Sequence, residues 1–233
     1  MQIDTAVSSG TAKTMKSELR RCTNCLMPET RPRITFNEKG VCNACQWAVE
    51  KKSIDWQARR KELEAYCDKY RSKDGNFDCI VPVSGGKDSS YVAYMMKHEL
   101  GMHPLCVNIV PPLAFDGGIK NLENFINAGY DVTMINVNPV VSQWIARHGL
   151  IEHGQPLMSW ITSVQIAIFK MAIRMNIPFV MFGEEGETEY GGTSKLKNSA
   201  VYDIEDSIKI YLSGINPDKY REKWSEKELY WWT

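Results

Sequence analysis

Residues 79–101 constrain the fold of this chain more than any other stretch. An apolar run, CIVPV, fills 79–83, SGGKDS follows at 84–89, and Val92, Met95, Met96 and Leu100 then recur at helical spacing before Gly101. A short apolar run reads as a strand buried in a parallel sheet, and the spaced apolar residues read as one face of a helix stopped by glycine. Pro82 removes one ladder donor, so the strand is expected to end or bulge there. Gly85 and Gly86 let backbone N–H groups approach an anion closely, and the helix N-terminus adds its positive dipole end. The hydroxyls of Ser84 and Ser89 can donate to phosphate oxygens, Lys87 can neutralise charge, and Asp88 can hold Mg²⁺ or orient a nucleotide. The loop is not a Walker A motif, and G-x-G-x-x-G is absent as well. The plain alternative is a tight turn that only caps a helix. Six specific residues between a strand and a helix favour the phosphate site.

The cysteines carry the second signal. There are seven, an odd number in a chain whose first residues lack the apolar core of a secretory signal, which makes a poor disulfide framework. Cys22 and Cys25 form one C-x2-C pair, and Cys42 and Cys45 form another sixteen residues on. Each pair places two thiolates on one tight turn, so together they can complete a tetrahedral S4 site for Zn²⁺, structural because no open ligand position is evident. Between them Ile34 and Phe36 alternate before a turn at 37–40, the pattern of a short hairpin.

Elsewhere strands and helices alternate, which favours a doubly wound parallel sheet. Trp56, Leu63, Tyr66 and Tyr70 give one apolar stripe on a charged helix within 49–73, and SKDG at 72–75 breaks it. Residues 103–110 read as a second strand, 121–128 as a helix with Leu122, Phe125 and Ile126 inward, and 130–137 as a third strand. Ile161, Val164, Ile168, Met171 and Met175 mark another helix, and 178–183 a fourth strand. His148 and His153 are expected in a loop around Gly149, and Gly117-Gly118 in a turn or a ligand approach. Ligands in such sheets bind beyond the carboxyl ends of strands. That rule selects 84–89, the segment after Val110, and 183–192. The last begins with Gly183 and carries Glu184, Glu185, Glu187 and Glu189. Their possible roles are Mg²⁺ coordination, recognition of sugar hydroxyls, or removal of a proton from ammonia. An acidic solvated loop is the bland alternative, and Lys195 and Lys197 are equally open between a diphosphate contact and a solvated face.

Composition narrows the class. With 28 basic and 28 acidic residues among 233, no global charge drives nucleic-acid binding. The most apolar stretch, 161–182, is broken by Lys170, Arg174, Asn176 and Pro178, so no membrane span and a cytoplasmic address are expected. The organisation expected is a flexible leader (1–20), a zinc knuckle (21–48), a linking helix (49–74) and a nucleotide-binding domain (75–233).

SGGKDS at 84–89 resembles the SGGxDS loop of the PP-loop, or N-type, ATP pyrophosphatases. CTNCLMPETRP at 22–32, with Ile34, Phe36 and GVCNAC at 40–45, resembles the amino-terminal knuckle of the N-acetyl sugar amidotransferases within that superfamily, as does FGEEGETEYGG at 182–192. The resemblance covers nearly all of the chain from Cys22 onwards. It implies an α/β fold, a doubly wound parallel sheet of five strands with a small zinc-ribbon-like knuckle. It implies cleavage of ATP between its α and β phosphates and adenylation of an N-acetyl sugar, in surface-polysaccharide and nonulosonate pathways. The N-acetyl group becomes an acetamidino group, with ammonia from a separate glutaminase subunit, and no glutaminase nucleophile is recognisable in this chain. The residues implied are Ser84, Gly85, Gly86, Lys87, Asp88, Ser89 and Gly183 for ATP, with Lys87, Asp88, Glu184, Glu185 and Glu187 in catalysis. Family members generally run longer, which leaves open a shortened member or a chain lacking a carboxy-terminal part. Two other readings remain: a PP-loop tRNA sulfur transferase, and a non-catalytic ATP-binding zinc protein.

Overall fold

The computed structural model of the chain describes residues 19–31, 33–184, 186, 189, 204–212 and 214–233. They fall into two compact units that divide between Ile54 and Asp55, and Gly186 and Glu189 belong with the first.

The first unit is built around the cysteines. An antiparallel bridge pairs Phe36 with Cys42, and the Asn37 N–H bonds the Val41 carbonyl at 3.0 Å. Gly40 closes the turn with φ +75°, and its backbone carbonyl accepts from the Thr23 N–H at 3.0 Å. The expected hairpin is therefore present. Cys42 then stands as N-cap of α1 (Asn43–Glu50), which runs into a 3₁₀ turn at Lys51–Ser53.

The second unit starts with α2 (Trp56–Tyr70), capped by Asp55, whose carboxylate accepts from the Gln57 and Ala58 amides. The expected stripe is only partly right. Leu63, Cys67 and Tyr70 face inward, whereas Trp56 and Tyr66 are exposed. Three parallel strands follow, β1 (Cys79–Pro82), β2 (Pro104–Ile109) and β3 (Asp131–Ile135), in the order β1-β2-β3. On the other side of β1, residues 179–181 add a parallel bridge, Ile80 to Val180. The Ile80 N–H bonds the Phe179 carbonyl and the Met181 N–H bonds the Ile80 carbonyl, at 2.8 and 2.9 Å. The next rung would need an N–H at position 82, which Pro82 lacks. This is why the fourth strand pairs for one bridge only.

Residues alternate across the sheet. One face carries Cys79, Val81, Val83 and Cys106, covered by α2, α3 (Lys87–Tyr94) and α4 (Asp116–Asn127). The other carries Ile80, Leu105, Val107 and Ile109, covered by α6 (Met158–Arg174). The result is a three-layer α/β arrangement around a parallel sheet, with helices on both faces, as the alternation of elements requires.

Three expectations need correction. His148 and His153 lie on a helix, α5 (Pro139–His153), started by an Asn138 cap and closed by Gly154 at φ +66°. Gly149 is no breaker there. A Cβ at that position would stand 2.5 Å from the Met158 Cβ, so the glycine lets α5 and α6 close on each other. Next, α4 starts at Asp116, which puts Gly117 and Gly118 in its first turn, and Ile126 points outward. Finally, the expected stripe of α6 is incomplete: Ile168 is buried and Val164, Met171 and Met175 pack against the same cluster, but Met158, Ser159, Thr162, Ser163 and Ala167 are buried too. Thr162 and Ser163 satisfy their hydroxyls on the Met158 and Trp160 carbonyls, so burying them costs little. After α7 (Ile204–Tyr211), a 3₁₀ turn at Pro217–Glu222 brings Tyr220, Leu229 and Trp232 against α5, a cluster not foreseen from the sequence. No helix among the described residues is long and apolar enough to cross a membrane.

Candidate functional site

The four knuckle cysteines converge. Their sulfurs all lie within 4.8 Å of one another, with Cys22 to Cys45 at 4.0 Å and Cys25 to Cys42 at 3.7 Å. A tetrahedral zinc with bonds of about 2.3 Å sets its sulfurs about 3.8 Å apart, so the donor set and spacing fit that ion. Backbone N–H groups of Cys42 and Asn24 donate to the Cys22 sulfur at 3.2 and 3.4 Å, and the Asn24 side-chain amide donates to the Cys45 sulfur at 3.2 Å. Such donors orient and stabilise metal-bound thiolates. Burial works to raise the Cys22 pKa, but the N–H donors of Cys42, Cys25 and Asn24 outweigh it and bring the thiol down to about 6. Cys42 is pushed up to about 12 by burial, which outweighs the one backbone N–H that supports it, from Cys45.

The second candidate site is the loop between β1 and α3. Because β2 lies on one side of β1 and residues 179–181 on the other, the strand order reverses at β1, and its carboxyl end is the topological switch point. Gly85 has φ +80°, and a Cβ on it would lie 3.0 Å from the Gly118 carbonyl oxygen and 3.2 Å from the Leu122 nitrogen. Only glycine lets the loop lie against the first turns of α4 with that backbone. The loop holds its own shape. The Ser84 N–H donates to the Ser89 hydroxyl at 3.3 Å, the Ser89 hydroxyl donates to the Gly86 carbonyl, and the Gly86 N–H donates to the Ser84 hydroxyl.

Gly86 caps α3 without a side chain. Among the described residues no acceptor is set against the amides of Gly85, Asp88 and Ser89. Open amides at a helix start make an anion site. The Lys87 ammonium pairs with both Asp88 carboxylate oxygens at 2.6 Å on an exposed edge. Gly183, at the end of residues 179–183, comes against this helix start. A Cβ there would stand 2.9 Å from the Ser89 Cα and 3.0 Å from its nitrogen. The structure thus brings Ser84, Gly85, Gly86, Lys87, Asp88, Ser89 and Gly183 together.

The acidic segment is less complete. Glu184 is exposed directly after Gly183, and Glu189 is exposed in the first unit. Glu185 and Glu187, like Lys195 and Lys197, lie outside the described residues. Among the described residues, the only group of His, Cys, Asp and Glu placed to hold a metal is the four-cysteine cluster. Sequence reasoning passed over Asn108. This residue is 3 % exposed, and its amide nitrogen donates to the Val83 carbonyl at 2.7 Å, immediately before the loop. A polar residue inside the otherwise apolar run LCVNI was the available signal. The three remaining cysteines are buried in the core. Cys79 stands at the amino end of β1, opposite the loop, and burial pushes both it and Cys106 up to about 12.

No protein-family model matches the chain. An uncharacterised protein of Methanocaldococcus jannaschii is 22% identical over 211 residues, spanning 90% of this chain and 72% of that protein. Among solved structures, an NH3-dependent NAD synthetase from Campylobacter jejuni in complex with the nitrate ion overlaps 58% of this chain and 59% of its own, at TM-score 0.43 and 13% identity. A chain described as a predicted subunit of tRNA methyltransferase from Methanocaldococcus jannaschii overlaps 57% of this chain and 62% of its own, at TM-score 0.36 and 19% identity. The chain therefore spans about six tenths of the length of each of these two solved structures.

Proposed function

We propose that this chain is an ATP-dependent amidotransferase of the PP-loop type, converting the N-acetyl group of a sugar to an acetamidino group. The observation that carries the reading is the loop at 84–89, with open amides at the start of α3, at the switch point of a parallel sheet. Such a site suits the polyphosphate of a nucleotide. The amides of Gly85, Asp88 and Ser89 bind phosphate oxygens, and the Ser84 hydroxyl adds a donor. Lys87, drawn from its pair with Asp88, neutralises charge on the leaving pyrophosphate. Asp88 is the residue that would hold Mg²⁺, which supplies further neutralisation of the polyphosphate. The acetamido oxygen attacks the α phosphorus and pyrophosphate departs, leaving an O-adenylated imidate. Ammonia adds at the imidate carbon, AMP departs, and loss of a proton from the nitrogen completes the amidine. Glu184, Glu185 and Glu187 are the carboxylates we assign to substrate contact and to removal of that proton. The remaining work is to hold the reactants in line.

In this reading the zinc knuckle is structural, and ammonia arrives from a glutaminase subunit. The sulfur-transfer alternative needs a reactive thiol at the loop. Cys67, Cys79 and Cys106 are buried core thiols, which favours nitrogen as the nucleophile.

The test incubates the purified chain with nucleotide-linked N-acetyl sugars, ATP, Mg²⁺ and an ammonium salt. We expect AMP, pyrophosphate and a sugar about one mass unit lighter, since NH replaces O, with a rate that rises above neutral pH as the NH₃ fraction grows. Release of ADP and orthophosphate overturns the reading of the loop. ATP binding with no AMP under any of these conditions supports the non-catalytic alternative.

A further inference from the structure

We infer that Asn108 is a positioning residue of the phosphate loop, with one half of its amide holding the loop's start and the other half waiting for a hydrogen bond that forms when nucleotide fills the site. The inference rests on the reading of the loop as an ATP site. Asn108 sits near the carboxyl end of β2, whose neighbouring positions are Val107 and Ile109. Alternation along the strand sets it on the face that carries Cys106, beneath α3 and α4, rather than on the α6 face with its two neighbours. The Val83 carbonyl can only accept, so the nitrogen of the Asn108 amide must be the atom facing it, at 2.7 Å. That choice leaves Oδ1 buried with no hydrogen-bond partner among the described residues.

A buried acceptor without a donor is costly, and the bond to Val83 needs only the nitrogen half of the amide. Val83 is the last residue before Ser84, and its own N–H is tied to the Val107 carbonyl at 2.9 Å. The two bonds together fix the direction in which the chain leaves the sheet and enters the loop. The atom left unpaired is thus on the residue that aims the loop, at the point where the amides of Gly85, Asp88 and Ser89 also stand open. Closure of the loop on phosphate would re-aim these groups and bring a donor to Oδ1. The unpaired Oδ1 then belongs to the nucleotide site rather than to the packing of the fold.

The experiment compares wild type with Asn108→Leu, a near-isostere lacking both halves of the amide, and with Asn108→Asp, which keeps an acceptor and loses the donor. Melting temperatures are read with and without ATP and Mg²⁺, and ATP affinity by calorimetry. We expect Asn108→Leu to melt within a few degrees of the wild type without nucleotide, because it removes one unpaired buried acceptor, Oδ1, and leaves another, the Val83 carbonyl. Its ATP affinity should fall about tenfold, which is about 1.4 kcal/mol, and its nucleotide-induced shift should shrink accordingly. Asn108→Asp should bind ATP weakly as well, because the Val83 carbonyl loses its donor. If Asn108→Leu instead binds ATP as tightly as wild type, Asn108 is a core residue only and the inference is overturned. Should Asn108→Leu fail to fold, unchanged ATP affinity in Asn108→Asp overturns it equally. A wild-type protein that neither binds ATP nor is stabilised by it removes the ATP reading, and this inference with it.

Discussion

Replacing Gly183 by alanine asks whether the ends of two separate strands are really held together at the start of α3. The new Cβ would stand 2.9 Å from the Ser89 Cα, 3.0 Å from its nitrogen and 3.2 Å from the Asp88 carbonyl carbon, where ordinary contacts begin at 3.4 Å. All three neighbours are backbone atoms of a helix's first turn, so none can rotate aside. Either residues 179–183 or the start of α3 must give by about half an ångström. Overpacking of this kind costs about 1–3 kcal/mol, and at about 3 °C per kcal/mol for a chain of this size the melting temperature should fall by about 3–9 °C. The amides of Asp88 and Ser89 move with the helix start. A misplacement of about 1 Å costs on the order of 100-fold in rate, so half of that should cost about tenfold in AMP release. Thermal melts and AMP release measured side by side read both effects. Gly117→Ala is the control, because nothing lies within 4 Å of a Cβ at that helical position. It should change neither activity nor stability by more than about 1 kcal/mol. Wild-type melting and wild-type AMP release in Gly183→Ala would refute the packing argument.

Elemental analysis should find one zinc per chain, and Cys42→Ser should lose it and unfold the first unit, since structural zinc supplies folding free energy directly. Retention of zinc by that variant would show that the four sulfurs are not its ligands. Asp88→Ala should bind ATP weakly and release AMP at least 100-fold more slowly, whereas a merely helix-capping Asp88 predicts a small stability loss and full turnover. Burial holds the Cys79 and Cys106 thiols protonated up to about pH 12, against 9.0 for a free thiol. A group whose pKa is raised in the folded state contributes stability below its unfolded value and loses it as pH climbs toward the folded value. The melting temperature should therefore decline from about pH 9 upward, and Cys79→Ala should flatten that decline; equal slopes in the two proteins would contradict the burial argument.

What the sequence determined by itself is local. Two C-x2-C turns, a glycine loop between an apolar run and a helical stripe, and a proline that ends a strand all act within a few residues. Their geometry therefore needs no partner from elsewhere in the chain. Pro82 is the clearest case, for its missing N–H limits the fourth strand to one bridge. The tertiary structure decided what depends on distant neighbours. Gly149 looked like a helix breaker and is instead the point where α5 admits Met158. On α6, Ser159, Thr162, Ser163 and Ala167 are buried alongside Met158 and Ile168, with the Thr162 and Ser163 hydroxyls satisfied on the helix's own backbone. Trp56 and Tyr66 share a sequence stripe with Leu63, but only the residues that find the sheet are buried. At the candidate site, the sequence supplied the donors, and packing supplied their direction. Gly85 lies against α4, Gly183 against α3 and Asn108 against Val83, three contacts between residues far apart in the chain. No pattern of side chains along one segment encodes them, because each depends on the distance between two backbones that only the folded sheet brings together.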